Sequence, residues 1–209
     1  VTHPELHITS RICIRGGVVT LNGKKILENP GQEPGAFLRE VYDLCESPYP
    51  KFFKMDHLCK LAFVAAELLQ QETRFKEKYH DERKSLILQN SSSSLDTDLK
   101  HIQSIENPDA YFPSPSVFVY TLPNIAAGEI CIRHQVKGYT AFFIFEAFEP
   151  EFLFEQVSRR FQKNETDACI CGITEFLGNQ YEACLFMVEK AQDGIPFTMD
   201  NMKTTYTNT

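Results

Sequence analysis

The run Asp56 to Leu69 constrains the fold more than any other part of the chain. Leu58, Leu61, Ala62, Ala65, Leu68 and Leu69 recur at helical spacing, and Asp56 sits where an N-cap belongs. Cys59, Phe63 and Ala66 widen the apolar face beyond one stripe. A helix apolar on more than one side cannot lie on a surface, so it has to be buried between layers. The chain has 209 residues, 43% of them apolar and 17 of them phenylalanine, which suffices for one domain with a sizeable core.

The strands that would flank this helix can be read in order. Ile8 to Arg15 is rich in β-branched residues and stops at Gly16-Gly17. Gly23 to Gly35 is polar and turn-rich and reads as a loop. Phe37 to Leu44 reads as a short helix, broken by Ser47-Pro-Tyr-Pro50. Gln70 to Lys84 reads as the frayed end of the long helix and a loop. Ser85 to Gln89 is a short buried strand. The serines 91–94 form a strand-to-helix loop, with Ser94 capping a helix from Leu95 to Ile105 whose inner face is Leu95, Leu99 and Ile102.

Tyr111 to Pro115 is a rigid aromatic turn, and the helix after it is interrupted at Pro123. The strand Tyr139 to Phe145 is apolar on both faces. Pro150 opens a helix with Phe154, Val157 and Phe161 inside. Asp167 to Phe176 and Tyr181 to Glu189 form a hairpin around Gly178-Asn179. These assignments predict a three-layer α/β/α domain over 1–191 with a mixed five-stranded sheet, followed by a loosely ordered polar tail over 192–209.

Charge and cysteine usage narrow the function classes. A formal net charge of −7 argues against a sequence-independent nucleic-acid binder, which needs a basic footprint. Six of the seven cysteines lie in apolar runs: Cys13, Cys59, Cys131, Cys169, Cys171 and Cys184. They read as buried free thiols, which fits a cytoplasmic setting. No apolar run approaches the ~20 residues needed to span a bilayer. Zinc-ligand spacing, glycine-rich phosphate loops and Gly-x-Ser-x-Gly elbows are absent, so neither metal nor cofactor is expected. Cys169-Ile-Cys171 puts two sulfurs on one strand face, where packing is the simplest role. Asp96-Thr-Asp98 suits a helix N-terminus without a metal. His134 reads as a hydrogen-bonded turn histidine.

One segment carries a resemblance. Leu122-Pro-Asn-Ile-Ala-Ala-Gly-Glu-Ile-Cys-Ile132, then Lys137-Gly138 and the strand Tyr139 to Phe145, is similar to the segment leading to the nucleophile elbow of β-ketoacyl synthases. Lys51 to Leu69 resembles the first long core helix of those thiolase-fold enzymes. Thr166 to Thr174 resembles the strand after their nucleophile helix, and Ala183 to Glu189 the strand closing their N-terminal half. The resemblance spans about residues 8–190 and implies an N-terminal half of that fold.

Two departures bear on activity. With Gly138 on the family's glycine, the slot where the family carries its cysteine falls at Ala147, between Glu146 and Phe148. The sequence also ends where the family's C-terminal half, with its two catalytic histidines, would start. The resemblance therefore implies a degenerate, non-catalytic subunit, similar to chain-length factors and to half-sized synthase-like proteins of aryl polyene and flexirubin-type gene clusters. Such a subunit would dimerise with a full-length β-ketoacyl synthase, serve acyl carrier protein substrates, and shape the acyl tunnel with Phe142, Phe143, Phe145 and Phe148. Two alternatives stay open on the sequence: a minimal acyltransferase or decarboxylase using Glu146 or a cysteine, and a homodimeric acyl-binding module.

Overall fold

The computed structural model describes all residues except 1–5, 47, 108, 110, 111 and 209. Eight strands form one mixed sheet: β1 (Leu6–Arg15), β2 (Val18–Leu21), β3 (Lys24–Glu28), β4 (Lys84–Asn90), β5 (Thr140–Ile144), β6 (Ala168–Leu177), β7 (Gln180–Lys190) and β8 (Ile195–Pro196). Their order is β3-β2-β1-β7-β6-β4-β5, and β8 joins β1. β4 runs parallel to both β5 and β6, and the other pairings are antiparallel.

The mixed sheet and the layering agree with the sequence reading, but the sheet has eight strands rather than five. The five expected strands are its long central members and β5. β2 and β3 replace the first part of the expected loop at 23–35. Their sequences carry Lys24, Lys25 and Glu28 with little apolar alternation, because this edge of the sheet faces water.

Helices cover both faces. On one face lie α1 (Pro34–Asp43), a short 3-10 turn at Pro50–Lys54, α2 (His57–Thr73), α3 (Phe75–Lys78) and α6 (Asn124–His134). α2 is capped by Asp56, whose carboxylate accepts from the Cys59 amide. It is buried continuously from Leu58 to Leu69, between the sheet and α1 and α6. Its one buried charge, Glu67, accepts from Arg133 Nε at 2.6 Å. The run after α2 is not frayed: Phe75 in α3 is fully buried.

On the other face lie α7 (Pro150–Gln162) and α8 (Met199–Thr207). α7 buries Leu153, Val157 and Phe161, while Phe154 is only half-buried and stacks on Phe197. α8 corrects the expected loose tail. Met202 is fully buried in the second core, Phe197 is 5% exposed, and the Tyr206 hydroxyl donates to Glu182.

Between the sheet and α6 lie α4 (Leu95–Ile105) and α5 (Pro115–Val119), and the chain does break before Pro123 as expected. Ser94 sits at the N-cap position of α4, but its hydroxyl donates to the Thr121 carbonyl at 2.6 Å instead of capping. The expected aromatic turn includes Tyr111, and the break after α1 includes Ser47; both residues lie outside those described.

Gly138 explains the Lys-Gly turn before β5. A Cβ there would lie 2.3 Å from the Lys84 carbonyl oxygen and 2.8 Å from that of Glu82. The backbone must pass this close for β5 to enter beside β4. Both contacts are backbone atoms, so neither can yield cheaply. Gly138→Ala is expected to cost about 3 kcal/mol or more through overpacking, read as a lower urea midpoint at an unchanged slope.

Candidate functional site

The segment after β5 has the strand–bend–helix form of a nucleophile elbow. The Phe145 amide donates to the Asn90 carbonyl at 2.9 Å, carrying the β4–β5 pairing past the last strand residue. Gln89, fully buried on β4, then clasps the start of α7. Its side-chain oxygen accepts from the Glu149 amide at 3.0 Å, and its amide donates to the Glu149 carbonyl at 3.1 Å. Pro150 follows at the first position of α7. The scaffold that would hold a nucleophile is thus held by backbone bonds.

The side chains on it carry no activated group. Ala147 and Glu146 are both exposed at the bend. Glu146 makes no hydrogen bond or ion pair to the described residues and does not cap α7. Nucleophilic catalysis needs a thiol with a lowered pKa and an adjacent base. Here burial pushes the thiols of Cys59 and Cys131 up, and that of Cys45 up to about 12. His134 is not a hydrogen-bonded turn residue. It is 1% exposed at the end of α6, and neither ring nitrogen has a hydrogen-bond partner. Burial, then the charges of Arg133, Lys76 and Lys84, pushes it down to about 3. Among the described residues, no hydrogen bond joins a histidine to 145–149, and no three His, Cys, Asp or Glu converge as metal ligands.

The phenylalanines are divided by the sheet. Phe142 packs against the α2 side, and Phe143 and Phe148 against the α7 side. Phe143, Phe145 and Phe152 form an aromatic cluster with ring centroids 4.8–6.3 Å apart. Phe148 packs on Tyr206 at 4.7 Å. Cys169 and Cys171 are fully buried in the second core.

What the structure adds is a surface. β5 is the terminal strand, hydrogen-bonded only to β4, so the backbone groups on its outer side are open. The opposite terminal strand, β3, is guarded by Lys24, Lys25 and Glu28. β5 reads Thr-Ala-Phe-Phe-Ile and carries no charge. Beside it Ile144 is 51% exposed and Ile132 on α6 is 65% exposed.

The stripe Leu95, Leu99 and Ile102, read as inner, faces outward at 42–51% exposure, next to the exposed Phe118, Val119 and Leu122 of α5 and its following turn. Periodicity locates a stripe but not what it faces. A second patch escaped the sequence reading because its members are scattered. Lys54, His57, Lys60 and Lys100 surround a cavity of about 210 Å³ at the start of α2. Burial, then Lys100 and Lys60, pushes His57 down.

The serine loop is a loop, as read, with a clasp the sequence did not reveal. The Glu175 carboxylate accepts from the amides and hydroxyls of both Ser91 and Ser92. Burial alone would raise this carboxyl, but the serine donors outweigh it and hold it below its ordinary value. Glu189 behaves alike: burial is outweighed by donors from Lys78, Thr9 and Tyr79.

Both folded-state pKa values are lowered. Their stabilisation is therefore present above the unfolded value near 4.5 and is lost as pH falls through the folded values. The urea midpoint is expected to drop as pH is lowered below that value, and to drop less steeply in Glu175→Gln.

No protein-family model matches the sequence, and no curated protein does. Solved structures do match. The ishigamide ketosynthase/chain length factor superposes with a TM-score of 0.65 at 16% identity, over 92% of this chain and 64% of that one. A chain of the ketosynthase ApeO–chain length factor ApeC complex from Xenorhabdus doucetiae gives 0.58 at 13% identity, over 97% and 90%. The AntDE:AntF complex of a type II polyketide acyl-carrier protein with its ketosynthase gives 0.60 at 13% identity, over 91% and 63%.

The chain has the ketosynthase fold. It spans less than two thirds of the ishigamide and AntDE:AntF chains, and nine tenths of the matched ApeO–ApeC chain. The thiolase-type α/β/α architecture expected from the sequence is therefore present, with an exposed alanine at the elbow of this ketosynthase fold.

Proposed function

We propose that the chain is a non-catalytic, synthase-like subunit. It pairs with a complete β-ketoacyl synthase in fatty-acid or polyketide biosynthesis of the aryl polyene type and helps to shape the partner's acyl tunnel. The observation that carries this reading is the open, uncharged β5 edge flanked by Ile132 and Ile144. An uncharged apolar edge is a template for another chain, and isolated soluble domains guard such edges as β3 is guarded here. The exposed face of α4 and α5 adds apolar surface for a partner.

The neighbours supply the kind of partner. Ketosynthases occur with chain length factors in two of them and with an acyl-carrier protein in the third. The cationic patch of Lys54, His57, Lys60 and Lys100, on a chain of net charge −7, suits a partner with an acidic surface, the role assigned to a carrier protein. A cytoplasmic location belongs to this reading. Among the described residues, no helix is long and apolar enough to cross a membrane.

The aromatic residues Phe142, Phe143, Phe145 and Phe148 stand where the tunnel and the interface would meet. They leave the partner to supply the reacting cysteine and histidines. Ala147→Cys alone is expected to restore no condensation, because no base stands beside that position to form a thiolate. Radiolabelled acyl transfer to the variant is the measurement. Acylation at that cysteine at rates typical of a synthase would contradict the reading.

The reading itself is tested by hydrogen exchange. The amides of 140–144 should gain protection when a complete synthase is added to the purified chain. Unchanged exchange there, in a mixture that does form a complex, would place the interface elsewhere.

A further inference from the structure

Cys13 on β1 and Cys184 on β7 are directly opposed in register, and their sulfurs lie 2.6 Å apart. Opposed residues of antiparallel strands have Cα atoms about 4.5–5.5 Å apart. A disulfide accepts about 4.4–6.8 Å. The backbone therefore already holds this pair at bonding distance. Both side chains point into the core closed by α7 and α8, with exposures of 5% for Cys13 and 1% for Cys184. Cys169 and Cys171 share that core on the neighbouring strand β6. Neither Cys13 nor Cys184 belongs to the elbow or to the β5 edge, so the proposed function makes no use of them.

We propose that Cys13 and Cys184 form a covalent cross-linking site that takes a low-molecular-weight disulfide as its oxidant. The Cys13 thiolate attacks one sulfur of the small disulfide. That S–S bond breaks, one small thiol leaves, and Cys13 is left in a mixed disulfide. The Cys184 thiolate then attacks the Cys13 sulfur, forming the Cys13–Cys184 bond and releasing the second small thiol. The protein loses two protons and two electrons, and the small disulfide gains them as two thiols.

Cys13 takes the first step because it is the more exposed. The Cys184 thiol, held well above its ordinary value by its hydrogen bond to Cys13 and by burial, stays protonated until that bond is released. Access depends on α8. The Arg15 guanidinium donates to the Tyr206 carbonyl, and the Tyr206 hydroxyl donates to Glu182, so the helix is latched two residues from Cys184. Release of that latch opens the face on which the pair lies. The bond would join residues 171 apart in sequence, the first described strand to the last long one, across the middle of the sheet. A loop that long constrains the unfolded chain strongly.

The test incubates the folded wild-type chain with oxidised glutathione, alkylates in denaturant, and reads the product by mass spectrometry. Two of the seven cysteines should escape alkylation, and a peptide containing Cys13 should be found joined to one containing Cys184. The oxidised chain should melt about 10 °C higher than the reduced one. Cys184→Ser should abolish the cross-link. If that variant does not fold, the mapped linkage in the wild type decides alone. Alkylation of all seven thiols, or a linkage through Cys169 or Cys171 in place of this pair, overturns the proposal.

Discussion

Ile144→Asp should abolish pairing with a complete ketosynthase and leave the chain itself folded. Ile144 ends β5 and is 51% exposed, so within the isolated chain it is a surface position. Substitutions at such positions change stability by only about 0.5 kcal/mol. In an edge-to-edge complex the same carboxylate would be buried without a partner charge. That costs on the order of 3 kcal/mol or more, at least about a 100-fold loss of affinity.

The choice of residue matters. Phe143 is the more obvious target by sequence, but its ring packs edge-on to Phe152 at 4.8 Å and joins the second core. A charge there would weaken the fold as well as the interface and could not separate the two. Ile144→Asp does separate them. Affinity by isothermal titration calorimetry and melting temperature of the free chain should move independently. Equal loss of both, or no loss of either, would remove β5 from the interface.

Met202→Asp should be the most destabilising single change in the C-terminal segment. Met202 is fully buried against the core that contains Cys13, Cys184 and Phe186. A carboxylate there loses its hydration and finds no cation, and the thioether packing is lost with it. The expected cost is about 4 kcal/mol or more. In a domain of this size that lowers the melting temperature by roughly 10 °C. Met202→Leu, which keeps the volume, should cost less than about 1.5 kcal/mol. A thermal melt that does not distinguish Met202→Asp from wild type would mean that α8 does not cover the second core in solution.

Met202 also shows where the sequence stops being legible. The run Thr198 to Asn208 is threonine- and asparagine-rich, and one fully buried methionine with a half-buried tyrosine leaves no periodic stripe to read. α2 is the opposite case: eleven consecutive buried residues announce a helix between layers, and the structure places it there. β3 was invisible because a water-facing edge strand needs charges, and Lys24, Lys25 and Glu28 resemble a loop.

The stripe of α4 was legible as a stripe, but its direction was not. Leu95, Leu99 and Ile102 face away from the core, and only tertiary packing decides that. The apolar surface left for a partner was also misplaced by sequence. Without a second half, α2 looked bound to be exposed. In the folded chain α1 and α6 cover it, and α7 and α8 cover the opposite face of the sheet. The exposed surface is instead the β5 edge with α4 and α5.

At the elbow, the place of Ala147 was legible through its spacing from Gly138. The Gln89 clasp that holds the bend joins residues 60 apart in sequence, and no local pattern signals it.

The most direct measurement is size-exclusion chromatography with light scattering, on the chain alone and co-expressed with each complete ketosynthase of its source organism. A stable one-to-one complex with one of them, lost in Ile144→Asp, is the expected result. A chain that stays monomeric and ignores every complete synthase at all practical concentrations would contradict the partner-subunit account.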